Sequence, residues 1–380
     1  MPSLIPLSLY IHLPWCIKKC PYCDFNSYAL QETIPEEAYV RTLDRDLKES
    51  LALAQNRPIQ SIFFGGGTPS LFSPKSIENI LKNVFAVIPS EPAIEITLEA
   101  NPGTLEYHDF QDYQKAGINR ISLGAQSFDN AHLKALGRIH TADDIKRAID
   151  RINQASFKTY NLDIMYGLPG QSVTNALTDL EIALSFNPPH LSWYHLTIEP
   201  NTIFHHKPPI LPLEENLIAM ETAGYRLLED HRLFRYEISA FAKPNNSCQH
   251  NLNYWQFGDY LGIGAGAHGK ITDLSTHTIT RYWKTRYPKS YLKEEGSLLG
   301  GSQIIPIKEL PLEFMLNALR LSAGTTQEQF ETRTQLSIKT IEPQLKRAVE
   351  QGLLVCDEQK IIPTLRGQQF LNDLLLIFQI

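Results

Sequence analysis

Three cysteines crowd one short stretch, HLPWCIKKCPYCDF, at Cys16, Cys20 and Cys23, with the spacing C-x3-C-x2-C. Three thiolates suit three irons of a [4Fe–4S] cube and leave the fourth iron without a protein ligand, and an open metal position is where chemistry or capture occurs. A structural zinc site wants four closed ligands. The one nearby candidate for a fourth is His12, on a segment that reads as a strand entering the loop. A disulfide reading fits less well, because the chain has five cysteines, an odd number, and is long. A second constellation is Gly65-Gly66-Gly67-Thr68-Pro69, directly after the apolar run SIFF. Consecutive glycines let backbone groups approach a ligand with no Cβ in the way, although a tight turn is an equally simple explanation of a glycine triplet. It is not a dinucleotide fingerprint, since G-x-G-x-x-G is absent.

These residues need elements to hold them. Short β-branched or alternating runs recur, each followed by a helical pattern, which is the signature of parallel β/α units. Strands are expected at Leu7–His12, Gln60–Gly65, Ile94–Glu99, Arg120–Gly124, Tyr160–Met165 and Leu191–Thr197. Helices are expected at Glu36–Ala54, Pro74–Val87, Leu105–Ala116, Thr141–Gln154 and Val173–Ser185, several opening on Pro, Ser, Thr or Asp as helix N-termini prefer. Six repeats fall short of an eight-stranded barrel, so the fold class is α/β, a partial (β/α)6 TIM-like barrel. Its chemistry belongs on the loops after the strand C-termini. Residues 1–200 form this core. Residues 201–310 form an extension, with a helix near Glu214–Glu229, a strand at Phe234–Ala240 and a Gly-rich turn at Gly258–Gly269. Residues 311–380 form a smaller C-terminal helical, winged-helix-like domain with a β-hairpin at GLLVCDEQKIIPTL.

Composition narrows the class. Of 380 residues 43% are hydrophobic and 20% charged, ordinary for a globular protein. A net charge of -6, with near balance of signs in the C-terminal module, gives no nucleic-acid footprint. No apolar run approaches the roughly 20 residues needed to cross a bilayer. The first residues, MPSLIPLSLYIH, lack a basic n-region and enter a strand at once, so no signal peptide is expected. Unprotected thiols without an export signal point to the reducing cytoplasm, with peripheral membrane association left open.

Here the motifs reach a resemblance. YIHLPWCIKKCPYC together with GGGTP resembles the radical S-adenosylmethionine superfamily. In that superfamily the amino and carboxylate groups of S-adenosylmethionine chelate the fourth iron and the glycine-rich strand end holds the amino group, for which Gly66, Gly67 and Thr68 stand here. The ordered set Tyr10, Tyr22, Glu99 (ITLEANPGT), Gln126 (SLGAQSF), Arg138 (LGRIH) and Asp163 (NLDIMYGLPGQ) is similar to the oxygen-independent coproporphyrinogen III dehydrogenase family. That resemblance implies contacts from these residues to one or two S-adenosylmethionine molecules. A carboxylate can take ribose hydroxyls and Arg can pair with the methionine carboxylate. Taken singly, Glu99 could cap a turn and Asp163 could satisfy buried backbone.

Three features depart from the dehydrogenase pattern. Asp24-Phe25 follows Cys23 where that family has a further cysteine, the first strand starts almost at Met1 without the family's long N-terminal segment, and the string His250-Asn251-Leu252-Asn253-Tyr254-Trp255 is present. H-N-x-x-Y-W marks a sister branch of heme chaperones. That branch implies heme as a ligand, apo-hemoproteins as acceptors, an electron donor for the cluster, and no coproporphyrinogen III oxidase activity despite a radical fold. The competing implication is a radical enzyme that oxidatively decarboxylates coproporphyrinogen III to protoporphyrinogen IX. His250 is the heme candidate, since neutral imidazole is a common ligand to heme iron. On the residues alone, His250-Asn251 could equally bond a loop with Tyr254 and Trp255 in the core. Cys248 is a soft-ligand candidate, His268 in GAGAHG faces a Gly-rich strand end and could touch cofactor or heme, and Cys356 reads as a buried thiol.

Overall fold

The computed structural model describes residues 5–104, 108–293, 295–357 and 359–379. Its centre is a run of parallel strands: β1 (Leu7–Leu13), β2 (Ile59–Gly66), β3 (Ser90–Ala100), β4 (Arg120–Gln126), β5 (Thr159–Tyr166) and β6 (His190–His195), paired in that order. The helices between them include α1 (Glu36–Ser50), α2 (Pro74–Val87), α3 (Phe110–Lys115), α4 (Ala142–Gln154) and α5 (Val173–Ser185). Strand and helix positions follow the pattern in the sequence closely. The helix expected over Leu105–Ala116 is described only from Phe110, and residues 105–107 of that expectation lie outside the described residues, as do residues 1–4 of the N-terminal reading.

The alternation along each strand separates two environments. In β1, Leu7, Leu9, Ile11 and Leu13 are fully buried on one face, while Ser8, Tyr10 and His12 point to the other. In β3 the pair is Ile96 and Leu98 against Glu95, Thr97 and Glu99; in β5 it is Leu162 and Ile164 against Asn161 and Asp163. The apolar face packs under the helices, where α4 supplies Ile145, Ala148, Ile149 and Ile152 at helical spacing. The helices start where their caps dictate: Ser73 accepts from the Ser76 N–H, and Thr141 and Ser172 each close a capping box. The polar face is therefore the interior of the curved sheet, lined with groups that need partners.

The sheet is larger than six strands. A seventh parallel strand, within the segment expected to be a Gly-rich turn, runs beside β1 from Asp259 to Ile263, with Leu7 opposite Asp259 and Ile11 opposite Ile263. The strand expected at Phe234–Ala240 is two antiparallel strands, β7 (Phe234–Glu237) and β8 (Ala240–Ala242), which extend the sheet beyond β6. With Asp259–Ile263 as β9, three more antiparallel strands follow: β10 (His268–Thr272), β11 (Ile279–Lys284) and β12 (Leu299–Ile304). The full order is β12-β11-β10-β9-β1-β2-β3-β4-β5-β6-β8-β7, an open sheet whose two edges are not paired among the described residues.

A buried ionic cluster locks β9 in place. Asp259 accepts from Arg57 Nη1 at 2.8 Å and Lys270 Nζ at 2.9 Å, and from the Thr272 N–H at 2.8 Å. The C-terminal region builds a second core around Phe314, Phe330, Ile361 and Phe378, which Phe257 and Ile279 of the preceding segment join. Helices Leu310–Ala318, Gln327–Thr334 and Glu342–Glu350 pack there with a three-stranded antiparallel sheet that contains the hairpin Leu354–Cys356 and Lys360–Pro363. Glu358, between those two strands, lies outside the described residues.

Candidate functional site

Because the seven central strands are parallel, the segments after them all gather at one end. The cysteine loop leaves β1 and is pinned by backbone bonds. Tyr28 N–H donates to Pro14 O, Leu30 N–H to Cys16 O and Cys23 N–H to Cys20 O. The Lys19 ammonium closes the loop on the carbonyls of Phe25 at 2.9 Å and Ser27 at 3.2 Å. Cys16 is buried and Cys20 and Cys23 are half-buried. Burial, and then the neighbouring Cys23 and Cys20, pushes the Cys16 thiol up to about 11. Burial raises the Cys23 thiol as well, so these two want a cationic partner to ionise against. Among the described residues no three His, Cys, Asp or Glu side chains group as a site for a single metal ion, this trio included. A donor set of three cysteines suits a cluster with a separate iron for each sulfur.

His12 does not face this loop as a fourth ligand. Its Nε2 is bonded to Asn26 O at 2.9 Å, so that nitrogen carries the proton, and its Nδ1 accepts from Tyr10 Oη at 3.0 Å. Burial depresses its pKa to about 4, which keeps it neutral.

The glycine triplet has a specific geometric reason. Gly67 N–H donates to Leu13 O and Thr68 N–H to Trp15 O, fastening the end of β2 to the cysteine loop. A Cβ on Gly67 would lie 2.3 Å from Trp15 O, and Gly66 has φ +121 with the His12 ring 2.7 Å from where its Cβ would be. Both positions therefore need glycine on steric grounds alone.

Beside this loop lies a cavity of about 430 Å³, lined among others by Cys16, Cys20, Cys23, Tyr22, Gly66, Gly67, Thr68, Glu99, Gln126, Arg138 and Asp163. Thus the structure gathers all but Tyr10 of the S-adenosylmethionine set proposed from sequence around one volume. Glu99 Oε2 accepts from the Gly66 N–H at 3.2 Å. Burial first, and the Asp163 charge second, push the Glu99 carboxyl up to about 8 against that hydrogen bond. Asp163 is raised too, chiefly by burial, although Asn161 and Ser122 donate to it at 2.8 and 3.2 Å. Two raised carboxyls facing one cavity suit a cationic or hydroxyl-rich ligand. Opposite them, Arg138 Nη2 donates to Gly124 O at 2.9 Å and Nη1 to Cys20 Sγ at 3.6 Å, while its Nε is buried with no partner among the described residues. Gln126, at the end of β4 with φ +72, accepts from Tyr194 Oη at 2.7 Å. A donor set of three thiols, a glycine cradle, acidic groups and a cation beside one cysteine fits both a [4Fe–4S] cluster and S-adenosylmethionine.

Sequence reasoning missed Tyr194 and Lys19. Tyr194 carried a usable signal, being an inward position of β6 in register with Met165 of β5. Lys19 acts through backbone carbonyls, which no side-chain pattern reveals.

Tyr10 lines a second cavity instead, of about 640 Å³, which shares Gly66, Glu99, Asp24 and Phe25 with the first. Tyr254, Trp255 and His268 also line it. His250 lines neither cavity. It is buried on the short helix Gln249–Trp255, whose start is capped by Glu95, which accepts from the N–H groups of Gln249 and His250. Both its ring nitrogens are engaged. Ser61 Oγ donates to Ser8 Oγ at 2.8 Å, so His250 Nδ1 donates to Ser61 at 2.9 Å, and Nε2 accepts from Tyr254 Oη at 2.9 Å. The four-residue spacing puts His250 and Tyr254 on one helix face, so the imidazole orients the phenol. Cys248 is buried and its thiol donates to Glu95 at 3.5 Å. Cys356 is a half-buried thiol packed against the second core.

The chain matches known families along most of its length. The model of the Radical SAM superfamily matches residues 10–181, and that of the HemN C-terminal domain matches residues 305–370. Heme chaperone HemW of Escherichia coli (strain K12) is 48% identical over 100% of this chain and 99% of its own length. Heme chaperone HemW of Bacillus subtilis (strain 168) is 32% identical over 96% of this chain and 97% of its own. The structure of coproporphyrinogen III oxidase (HemN) from Escherichia coli superposes with a TM-score of 0.82 at 21% identity, covering 99% of this chain and 90% of that one, a likeness of fold.

Proposed function

Because this chain belongs to the HemW family of the radical SAM superfamily, we propose that it is a heme chaperone, which binds heme beside a [4Fe–4S] cluster and S-adenosylmethionine and hands the heme to apo-hemoproteins. The observation that carries this reading is the pair of adjoining cavities that meet at Gly66 and Glu99. One has the donors of a cluster and its sulfonium ligand. The other is walled by aromatic rings, large enough for a flat ligand, and within the range of about 300–1,000 Å³ usual for ligand sites.

In this reading Cys16, Cys20 and Cys23 hold the cluster and Lys19 keeps their loop closed. A bound cluster supplies a low-potential electron and one open coordination position. Gly66, Gly67 and Thr68 form the floor that admits the amino group of S-adenosylmethionine. Arg138 pairs with its carboxylate, while Glu99 and Asp163 accept from its ammonium and ribose hydroxyls. Gln126, held by Tyr194, and Tyr22 complete the wall. The protein works in the cytoplasm with an electron-donor partner. Among the described residues no helix is long and apolar enough to cross a membrane.

One experiment separates the carrier from a radical decarboxylase. Anaerobically reconstituted protein is given S-adenosylmethionine, reductant and coproporphyrinogen III, and in parallel is titrated with hemin. The carrier reading requires intact propionates and a saturable Soret shift. Loss of propionate carboxyls would overturn it.

A further inference from the structure

We propose that His268, rather than His250, supplies the axial nitrogen to heme iron in the second cavity. This rests on the heme-binding reading above and assigns the ligand within it. An axial imidazole must be unprotonated, must keep a free lone pair and must reach the space where the porphyrin lies. Among the described residues two histidines line the second cavity, His12 and His268. Both nitrogens of His12 are committed, to Tyr10 and Asn26. His250 stands outside the cavity with both nitrogens committed to Ser61 and Tyr254. For His268 the structure gives no hydrogen bond to either ring nitrogen among the described residues, and its side chain is exposed to the cavity. Burial of its surroundings, and then the Arg281 charge, lowers its pKa, which favours the neutral ring.

The place around His268 is suited to a porphyrin. It opens β10 opposite Trp283 of β11, with the two rings 6.4 Å apart and inclined at 32°. The strand turn that leads to it is held by Asn26, just after the cysteine loop, through Ala265 O at 2.9 Å. The same cavity has two polar groups with donors left for a ligand. The Trp255 indole N–H is buried without a partner among the described residues. Lys270, Lys284 and Arg281 are paired with Asp259, Asp46 and Glu313, whereas Arg286 donates through Nε to Asn26 Oδ1 at 3.1 Å and has no carboxylate within ion-pair distance among the described residues. An indole N–H and a guanidinium without a carboxylate partner are what heme propionates would seek. In this arrangement His250 is a positioning residue, which aims Tyr254 at the cavity.

The test is an anaerobic hemin titration of the full-length, cluster-loaded protein and its His268→Ala and His250→Ala variants, followed by absorbance and electron paramagnetic resonance. His268→Ala is expected to weaken hemin binding at least tenfold and to lose the nitrogen-ligated spectrum, with added imidazole restoring it. His250→Ala is expected to keep the spectral position of the parent. His268→Tyr, which retains bulk and offers oxygen, should bind with a changed, oxygen-ligated spectrum. Iron and sulfide content checks that each variant is intact. A parent spectrum unchanged in both His268 variants, or lost in His250→Ala alone, would overturn the assignment while leaving heme binding in place. Absence of any Soret shift in the parent would overturn the heme-binding reading itself.

Discussion

The Gly66 N–H donates to Glu99 Oε2 at 3.2 Å, and this single bond ties the glycine cradle at the end of β2 to the acidic floor at the end of β3. It also lies where the two cavities meet. A carboxylate that holds a backbone amide in the wall between two ligand volumes can respond to both. Its protonation is therefore a sensitive reporter of the site.

Glu99 should make stability depend on pH in a defined direction. Its folded pKa of about 8, raised by burial and then by Asp163, exceeds the ordinary carboxylate value. Below the unfolded pKa both states are protonated and nothing is lost. As pH rises toward 8 the unfolded chain releases the proton and the folded chain keeps it, so folding weakens; above about 8 the loss is complete. Glu99→Gln removes this penalty and keeps an acceptor for Gly66. Without S-adenosylmethionine, the urea midpoint of the variant should equal that of the parent at about pH 3.5, below the ordinary carboxylate pKa, and exceed it increasingly up to pH 8. A gap constant with pH would contradict the assignment.

The same carboxyl should couple to ligand. If a cationic sulfonium favours ionised Glu99, binding releases a proton, and affinity for S-adenosylmethionine should rise with pH up to about 8 and then level. Calorimetry in two buffers of different ionisation enthalpy would read the proton directly. Glu99→Gln should abolish the release.

Gly67→Ala places a methyl group 2.3 Å from Trp15 O, on a backbone fastened at both sides. Overpacking of this kind costs typically about 1–3 kcal/mol. The cysteine loop is the neighbour that must give way, so a lower melting temperature together with reduced iron per chain after reconstitution is expected. Full iron retention with an unchanged melt would show that the contact relaxes freely.

Replacing Arg138 by Met removes the cation between Cys20 and the cavity while leaving its aliphatic bulk. A charged hydrogen bond is worth about 1.5–3 kcal/mol, so S-adenosylmethionine affinity should fall roughly 10- to 100-fold. Iron content should change little. Equilibrium dialysis on cluster-loaded protein measures the first and iron analysis the second.

Arg57→Met should destabilise far from the cavities. Asp259 and Lys270 would remain buried with Arg57 gone, and breaking a buried ionic set costs about 3–5 kcal/mol. The edge strands β10 to β12 hang on β9, so hydrogen exchange there should accelerate first. Protection unchanged in β10 would contradict this coupling.

Much of this molecule was legible in its sequence, and the exceptions have causes. Strands β1 to β6 declare themselves because each alternates, with apolar residues under the helices and polar ones inside. β9 does not, because Gly262 interrupts it, Gly264 follows it at once, and its identity comes from pairing with β1, over 240 residues away. Gly262 is required there because a Cβ would meet His268 O at 1.9 Å. Phe234–Ala240 read as one strand because the turn at Ile238-Ser239 has no glycine or proline to mark it. The residue types around the first cavity were visible in order along the chain. What the sequence could not show is which side chains are already spoken for. His250 and His268 are both candidate ligands by residue type until the bonds of His250 with Ser61 and Tyr254 are seen.

The central claim is that Cys16, Cys20 and Cys23 hold a cube with one corner open to S-adenosylmethionine. Mössbauer spectroscopy of protein reconstituted with iron-57 tests it most directly. The account predicts a [4Fe–4S] spectrum in which a single iron site changes its isomer shift and quadrupole splitting when S-adenosylmethionine is added, and an Arg138→Met variant that needs more of it for the same change. A spectrum of four equivalent sites that ignores S-adenosylmethionine, or a reconstituted protein that retains zinc in place of iron and sulfide, would contradict it.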